Sequence, residues 1–104
     1  MDPRTETEAM AWDVLHGVID PEVGINIVDL GLVYGIEAED DAVRVIMTLT
    51  TPGCPLHETI AEAVDTSLRY FISDIESVSV DLVWDPPWSP SMITAAGREE
   101  LGWR

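Results

Sequence analysis

Lysine is absent from the 104 residues, and only five arginines stand against 20 aspartates and glutamates, for a formal net charge of −15. So small a body with so much negative charge repels phosphate backbones and anionic lipid headgroups, which excludes nucleic acid and membrane surfaces as partners. Cysteine occurs once. No internal disulfide can form, so a secreted, disulfide-stapled design is also excluded. Apolar runs approaching the roughly 18 residues that cross a bilayer are missing. The N-terminal stretch MDPRTETEAM is polar and acidic where a secretory signal would be basic and then apolar. These absences predict a cytoplasmic protein.

The missing lysine carries a second expectation. Acid-rich, lysine-poor composition is that of cytoplasmic proteins from organisms that balance external salt with molar internal salt. At about 1 M the Debye length falls to roughly 3 Å, so self-repulsion that would loosen the fold in dilute buffer largely vanishes. A halophilic source is therefore predicted.

What is present suffices for one domain spanning residues 1–104: 46% of the chain is hydrophobic, without repeats or low-complexity tracts. Thr5 and Glu8 form a T-x-x-E capping box, and Met10, Ala11, Val14, Leu15 and Val18 follow at helical spacing. A helix over residues 6–19 is predicted, stopped by Pro21. The loop DPEVGINIVDLG, residues 20–31, shows no clean period. LVYGIEA and AVRVIMTLT are β-branched segments flanking Glu39, Asp40 and Asp41, which predicts an antiparallel hairpin with Val43, Val45, Met47 and Leu49 on one face.

A second helix is predicted from Pro55, because proline suits the first helical position. Its buried stripe is Ile60, Val64, Leu68 and Phe71. SVSVDLVW then alternates Val78, Val80, Leu82 and Trp84 with polar residues, as a half-buried strand does. The order α-β-β-α-β predicts an α+β fold, a two-layer α/β sandwich with a small mixed sheet and both helices on one face. A proline-rich loop and a short C-terminal helix near residues 94–101 complete it.

The stretch TTPGCPLHET, residues 50–59, holds Cys54 between Gly53 and Pro55 at the junction of strand and helix. A cysteine at that cap lies near unpaired N–H groups and the positive end of the helix dipole, which favours the thiolate, the form that binds metal and attacks electrophiles. Its thiol is expected to titrate below the roughly 8.5 of free cysteine. The competing reading is a buried Cys54 packed as a small hydrophobe. Asp20 and Glu22 in the first loop, and Thr50 and Thr51 at the strand end, are the polar groups that could converge on the thiol. In so acidic a chain the alternative for Asp20 and Glu22 is a solvated pair. His57 follows Cys54 by three residues and is either a base or ligand, or a surface histidine. His16 receives no role.

IDPEVGINIVDLGLVYGI, MTLTTPGCPL and WDPPWSPSMITAAGREELGW, three separated motifs in order over residues 9–103, resemble the metal-sulfur cluster assembly family that includes SufT and PaaD. The resemblance implies a compact α/β sandwich that matures or inserts iron-sulfur clusters. It places the family's D-P-E signature on Asp20, Pro21 and Glu22, its threonine pair on Thr50 and Thr51, its cysteine on Cys54, and its D-P-P-W motif on Asp85, Pro86, Pro87 and Trp88. Val23 stands where leucine commonly follows the acids. The extra C-terminal cysteines of PaaD-type members are missing, so the chain looks like a short, stand-alone SufT-type member.

Iron-sulfur clusters take about four ligands, mostly thiolates, and this chain offers one. No cofactor is therefore expected to be held tightly by a monomer. Either a homodimer shares two Cys54 sulfurs, or Cys54 touches iron or a cluster transiently while a scaffold or client protein supplies the remaining ligands. A non-catalytic adaptor or carrier is preferred, since no set of base, oxyanion donor and nucleophile can be assembled. Two alternatives stay open. One is a thiol enzyme with Cys54 as nucleophile and His57 or Glu22 as base. The other is a binding module that docks partners through residues 84–90 around Trp88, with Cys54 structural.

Overall fold

The β-branched runs and apolar helical stripes assemble into the α-β-β-α-β order expected of them. The computed structural model describes residues 3–21, 23–50, 57–73 and 75–102. Its elements are helix α1 (Pro3–Leu15), strands β1 (Val33–Glu39) and β2 (Ala42–Met47), helix α2 (His57–Phe71), strand β3 (Ser77–Leu82) and helix α3 (Ala95–Leu101). The three-stranded sheet is mixed and has β2 at its centre, antiparallel to β1 and parallel to β3. Helix α1 packs on β1, α2 packs on β3, and the helices touch each other, so both lie on one face. The fold is thus α+β in two layers.

Alternation works as expected at the centre. Val43, Val45, Met47 and Leu49 are buried, where they meet Ile60, Val64 and Leu68 of α2 and Ala11 and Leu15 of α1 within one core cluster. The β1–β2 connection pairs Glu39 with Ala42, leaving Asp40 and Asp41 as the turn. Asp40 takes the left-handed conformation at φ +51°, which aspartate tolerates better than most residues. On the outer face Arg44 bonds Asp81 at 2.6 Å and Glu37 at 3.0 Å, tying all three strands together. Such exposed pairs are worth at most about 1 kcal/mol each.

Four local expectations are corrected. Helix α1 ends at Leu15, short of residue 19 and well before Pro21: the Gly17 and Val18 amides bond back to Val14 and Leu15, a tightened last turn, and Ile19 instead bridges Asn26. Val18 is nevertheless buried, because the turn delivers it to the core without a helix. The capping box does not form, since α1 begins at Pro3 and encloses Thr5. Glu8 instead accepts a bond from the Ala38 amide at 3.0 Å, fastening α1 to β1. Phe71 is 67% exposed and Ile72, just past the helix, takes the buried place. Trp84 is 45% exposed, because β3 stops at Leu82 and the alternation no longer has a sheet to follow. The start of α2 at Pro55, and Cys54 as its cap, lie outside the described residues.

The tail matches expectation more closely. Thr94 caps α3, its hydroxyl accepting from the Gly97 amide at 3.1 Å, and Gly102 closes the helix at φ +77°. Among the described residues no helix is long and apolar enough to cross a membrane.

Candidate functional site

Three segments meet at the end of the sheet from which β2 runs toward Cys54. The first is the loop carrying Asp20. The Asp20 amide donates to the Ile25 carbonyl at 3.0 Å and the Gly24 amide returns to the Asp20 carbonyl at 2.8 Å, closing a tight turn that Gly24 permits with φ +80°. Further on, the Leu30, Gly31 and Leu32 amides fold back onto Asn26, Val28 and Ile27. The loop ends where the Leu32 carbonyl accepts from the Thr48 amide at 2.8 Å, so it is joined directly to the end of β2, the second segment.

Asp20 is buried, at 5% exposure. The solvated alternative for this carboxylate is thereby overturned. Thr50 is half-buried two residues beyond the Leu32 contact. Glu22, Thr51, Cys54 and the side chain of His57 lie outside the described residues, and so does the expected proximity of Asp20 and Glu22 to the thiol.

Thr48, to which sequence reasoning gave no role, is fully buried, and its hydroxyl has no hydrogen-bond partner among the described residues. Burying an unpaired hydroxyl costs about 1–3 kcal/mol. The signal was available: Thr48 falls between the core residues Met47 and Leu49, where strand alternation turns a side chain to the other face. His16 is exposed and its ring pairs with the Trp12 carbonyl at 2.9 Å, as its lack of a motif suggested.

The third segment is the tail, which clasps the loop. The Trp88 indole N–H donates to the Leu30 carbonyl at 2.7 Å, and the Tyr34 hydroxyl donates to the Pro86 carbonyl at 2.6 Å. Asp29 is the hub: it accepts from the Asn26 side-chain amide at 2.7 Å and from the Thr94 hydroxyl at 2.8 Å, while its carbonyl takes the Thr94 amide. Gly97 lets this happen, since a Cβ there would stand 3.0 Å from the Asp29 carbonyl oxygen. Of the expected docking loop, Trp88 is half-buried and committed to this clasp. Asp85, Pro86 and Pro87 are exposed, and Trp84 is the ring that faces outward.

The bonds from Asn26 and Thr94, helped by His16, hold the Asp29 carboxyl below its ordinary 3.8, with the Asn26 bond the largest cause and partial burial opposing it. A lowered folded-state value stabilises fully above the unfolded pKa, and the contribution is lost as pH falls below about 3.8 through the folded value. Asp29→Asn should therefore be less stable than the native protein at pH 7 in urea unfolding. The gap should narrow in the acid range below pH 3.8. A gap independent of pH would remove the charge from the argument.

Among the described residues no group of three His, Cys, Asp or Glu side chains is arranged to hold a metal ion. Among the described residues the arrangement presents a buried Asp20 and, past the end of β2, Thr48 and Thr50, and it forms no cage for a cluster.

Known proteins match this architecture along nearly its whole length. The Staphylococcus aureus Fe-S protein maturation auxiliary factor SufT is 44% identical over 86 residues, which cover 82% of this chain and 97% of its own. The Bacillus subtilis Fe-S protein maturation auxiliary factor YitW is 37% identical, covering 85% of this chain and 86% of its own. A domain of unknown function from Bacillus anthracis superposes with a TM-score of 0.92 at 34% identity, covering 97% of this chain and 96% of that one. Residues 8–86 match the model of the iron-sulfur cluster assembly protein family, to which this chain belongs.

Proposed function

We propose that the protein is an iron-sulfur maturation factor, an adaptor or carrier that handles cluster cargo through Cys54 on its way between scaffold and client proteins. Family membership supports the class of function, and relatives of nearly equal length are named maturation auxiliary factors. One observation carries the site: a buried Asp20, in a loop bonded at Leu32 to the strand that leads through Thr48 and Thr50 into the cysteine segment. A carboxylate withdrawn from water attracts a nearby iron cation more strongly than one free in solvent.

With one thiol per chain, the cargo is either held transiently, a scaffold or client completing the shell of about four ligands, or shared by the Cys54 residues of a homodimer. A cytoplasmic, thiol-reducing compartment suits both. Anaerobic reconstitution with iron and sulfide, followed by transfer to an apo-client, tests the reading. Wild type should accelerate transfer, or bind less than one cluster per chain. Cys54→Ala should lose that activity by at least the roughly 100-fold that removing an outer-shell partner of a metal ligand can cost, with its thermal unfolding unchanged. Transfer by Cys54→Ala at the wild-type rate would make the thiol structural.

A second reading keeps the proline-tryptophan loop as a client-docking element. Trp84, Asp85, Pro86 and Pro87 are the members that face solvent, so Trp84→Ala is the substitution to compare with wild type in client pull-down.

A further inference from the structure

Helix α2 starts next to the cysteine segment and ends at the opposite end of the molecule, beside the hairpin turn. Its 15 residues span about 22 Å at 1.5 Å per residue. At that far end the apolar surface is left open. Phe71 is 67% and Tyr70 80% exposed, the two rings packed edge to face at 4.9 Å, and Met10 of α1 is 45% exposed. Phe71 forms a ridge between two hollows. One, of about 230 Å³, is lined by Thr7, Met10, Asp40, Ile72, Ser73 and Ile75; the other, of about 310 Å³, by Asp13, Val14 and Gly17.

Among the described residues, the charge lining these hollows has one sign: Asp40 lines the first and Asp13 the second, and no described cation lines either. The nearest arginine in sequence, Arg69, is held by Asp65 at 2.8 Å and by the Glu76 carbonyl at 3.0 Å. An exposed aromatic ridge beside the apolar hollow at Val14 and Gly17 is unfavourable in water and suits an interface anchor. The acids at Asp13 and Asp40 select against acidic partners and favour basic ones.

We propose that this groove between α1 and α2 docks a partner segment of one chemistry: an amphipathic helix whose apolar side chains pack on Phe71 and into the hollow at Val14 and Gly17, and whose flanking lysines or arginines face Asp13 and Asp40. Docking there uses none of the residues that the maturation reading assigns, so the proposal stands apart from that reading.

The test uses the full chain and three labelled synthetic helical peptides of ~14 residues. One carries two leucines at i and i+4 among lysines, the second replaces the lysines with glutamates, and the third replaces the leucines with alanines. Fluorescence anisotropy should give the leucine–lysine peptide an affinity about tenfold above either control. Phe71→Ala should abolish that advantage. The double variant Asp13→Asn/Asp40→Asn should erase the preference for lysine over glutamate. Ile46→Ala, an apolar side chain on the outer face of the sheet, should leave binding unchanged. Equal weakening by Ile46→Ala and Phe71→Ala would mean non-specific adhesion to an acidic protein. A concentration-dependent dimer abolished by Phe71→Ala would identify a second copy as the occupant. Either result, or no binding, overturns the proposal. Reconstitution of the Phe71→Ala variant with iron and sulfide should match wild type whichever way the peptides behave.

Discussion

Gly31→Ala should lower stability by about 3 kcal/mol, combining the cost of a left-handed alanine with a clash the core cannot relax. Gly31 sits at φ +80°, and a Cβ there would come within 2.8 Å of the Met92 Cβ and 2.9 Å of the Met92 carbonyl carbon, with the carbonyl oxygen closer still. The obstacle is backbone, so it cannot swing away. Met92 belongs to the segment that the Asp29–Thr94 bonds and the Trp88–Leu30 bond draw onto the loop. Making room at Gly31 therefore means lifting the tail off the element that carries Asp20. Gly24 provides the control: it has the same φ of +80° but nothing within 4 Å of its Cβ position. Gly24→Ala should cost only the conformational part, about 1 kcal/mol. In thermal unfolding the Gly31 variant should melt about 15 °C below wild type, several times the loss at Gly24. Equal losses at the two glycines would show that the Met92 contact yields easily. A cluster-transfer assay on a folded Gly31→Ala sample should also be impaired, because the loop bearing Asp20 loses its clasp.

The hairpin and the crossover were legible because their signals are local: alternation in AVRVIM, two aspartates at the turn, and the i, i+4, i+8 spacing of Ile60, Val64 and Leu68. Periodicity tells which way a side chain points, but not whether anything lies there to cover it. Phe71 continues the helical stripe and Trp84 the strand alternation, yet each falls where its supporting layer ends, and both face water. Helix α1 shows the converse, since Val18 is buried after the helix has stopped. The Thr5–Glu8 pattern failed because a four-residue box does not state where a helix begins, and Glu8 had a partner 30 residues away in Ala38.

The candidate site was drawn from motif resemblance more than from physics. Composition alone would have left Asp20 in solvent, and its burial follows from the turn closed at Ile25 and Gly24, which no charge count reveals. The N-x-x-D spacing of Asn26 and Asp29 was a readable turn signal. The partner of that turn is Thr94, 65 positions on, and pairing at such a distance leaves no local trace. Trp88 illustrates the same limit. A tryptophan among prolines reads as an exposed anchor, whereas its ring N–H is bonded to Leu30. The thiol segment itself lies outside the described residues, so Cys54 rests on its sequence setting and on the chemistry the reconstitution measures.

Raising KCl from about 0.1 M to about 2 M should increase the melting temperature by roughly 10 °C, the shift expected if screening relieves about 2 kcal/mol of self-repulsion in a domain of this size. The net charge is −15 with no lysine anywhere in the chain. Among the described residues Arg44 pairs with Glu37 and Asp81 and Arg69 with Asp65, so these two cations are already committed to individual carboxylates, while Arg98 bonds the Ser91 carbonyl. The acids at Glu39, Asp40 and Asp41 crowd one hairpin turn without an arginine in that turn. At about 0.1 M the Debye length of ~10 Å lets such carboxylates feel one another, while above about 1 M it falls to ~3 Å and the repulsion is confined to neighbours. Screening and salting-out must be told apart, because salts that are excluded from protein surfaces also strengthen apolar burial. Screening saturates once the Debye length is shorter than the spacing between charges, whereas salting-out continues to grow with concentration. Most of the increase should therefore appear below about 1 M KCl, and an uncharged osmolyte such as sucrose at matched osmolality should give a smaller one. Replacing Asp40 and Asp41 with asparagine should raise stability at low salt and reduce the slope against KCl. A melting temperature that is flat across the whole salt range would end the halophilic reading of the composition, and one that climbs linearly without saturating would assign the effect to the core instead of the charge.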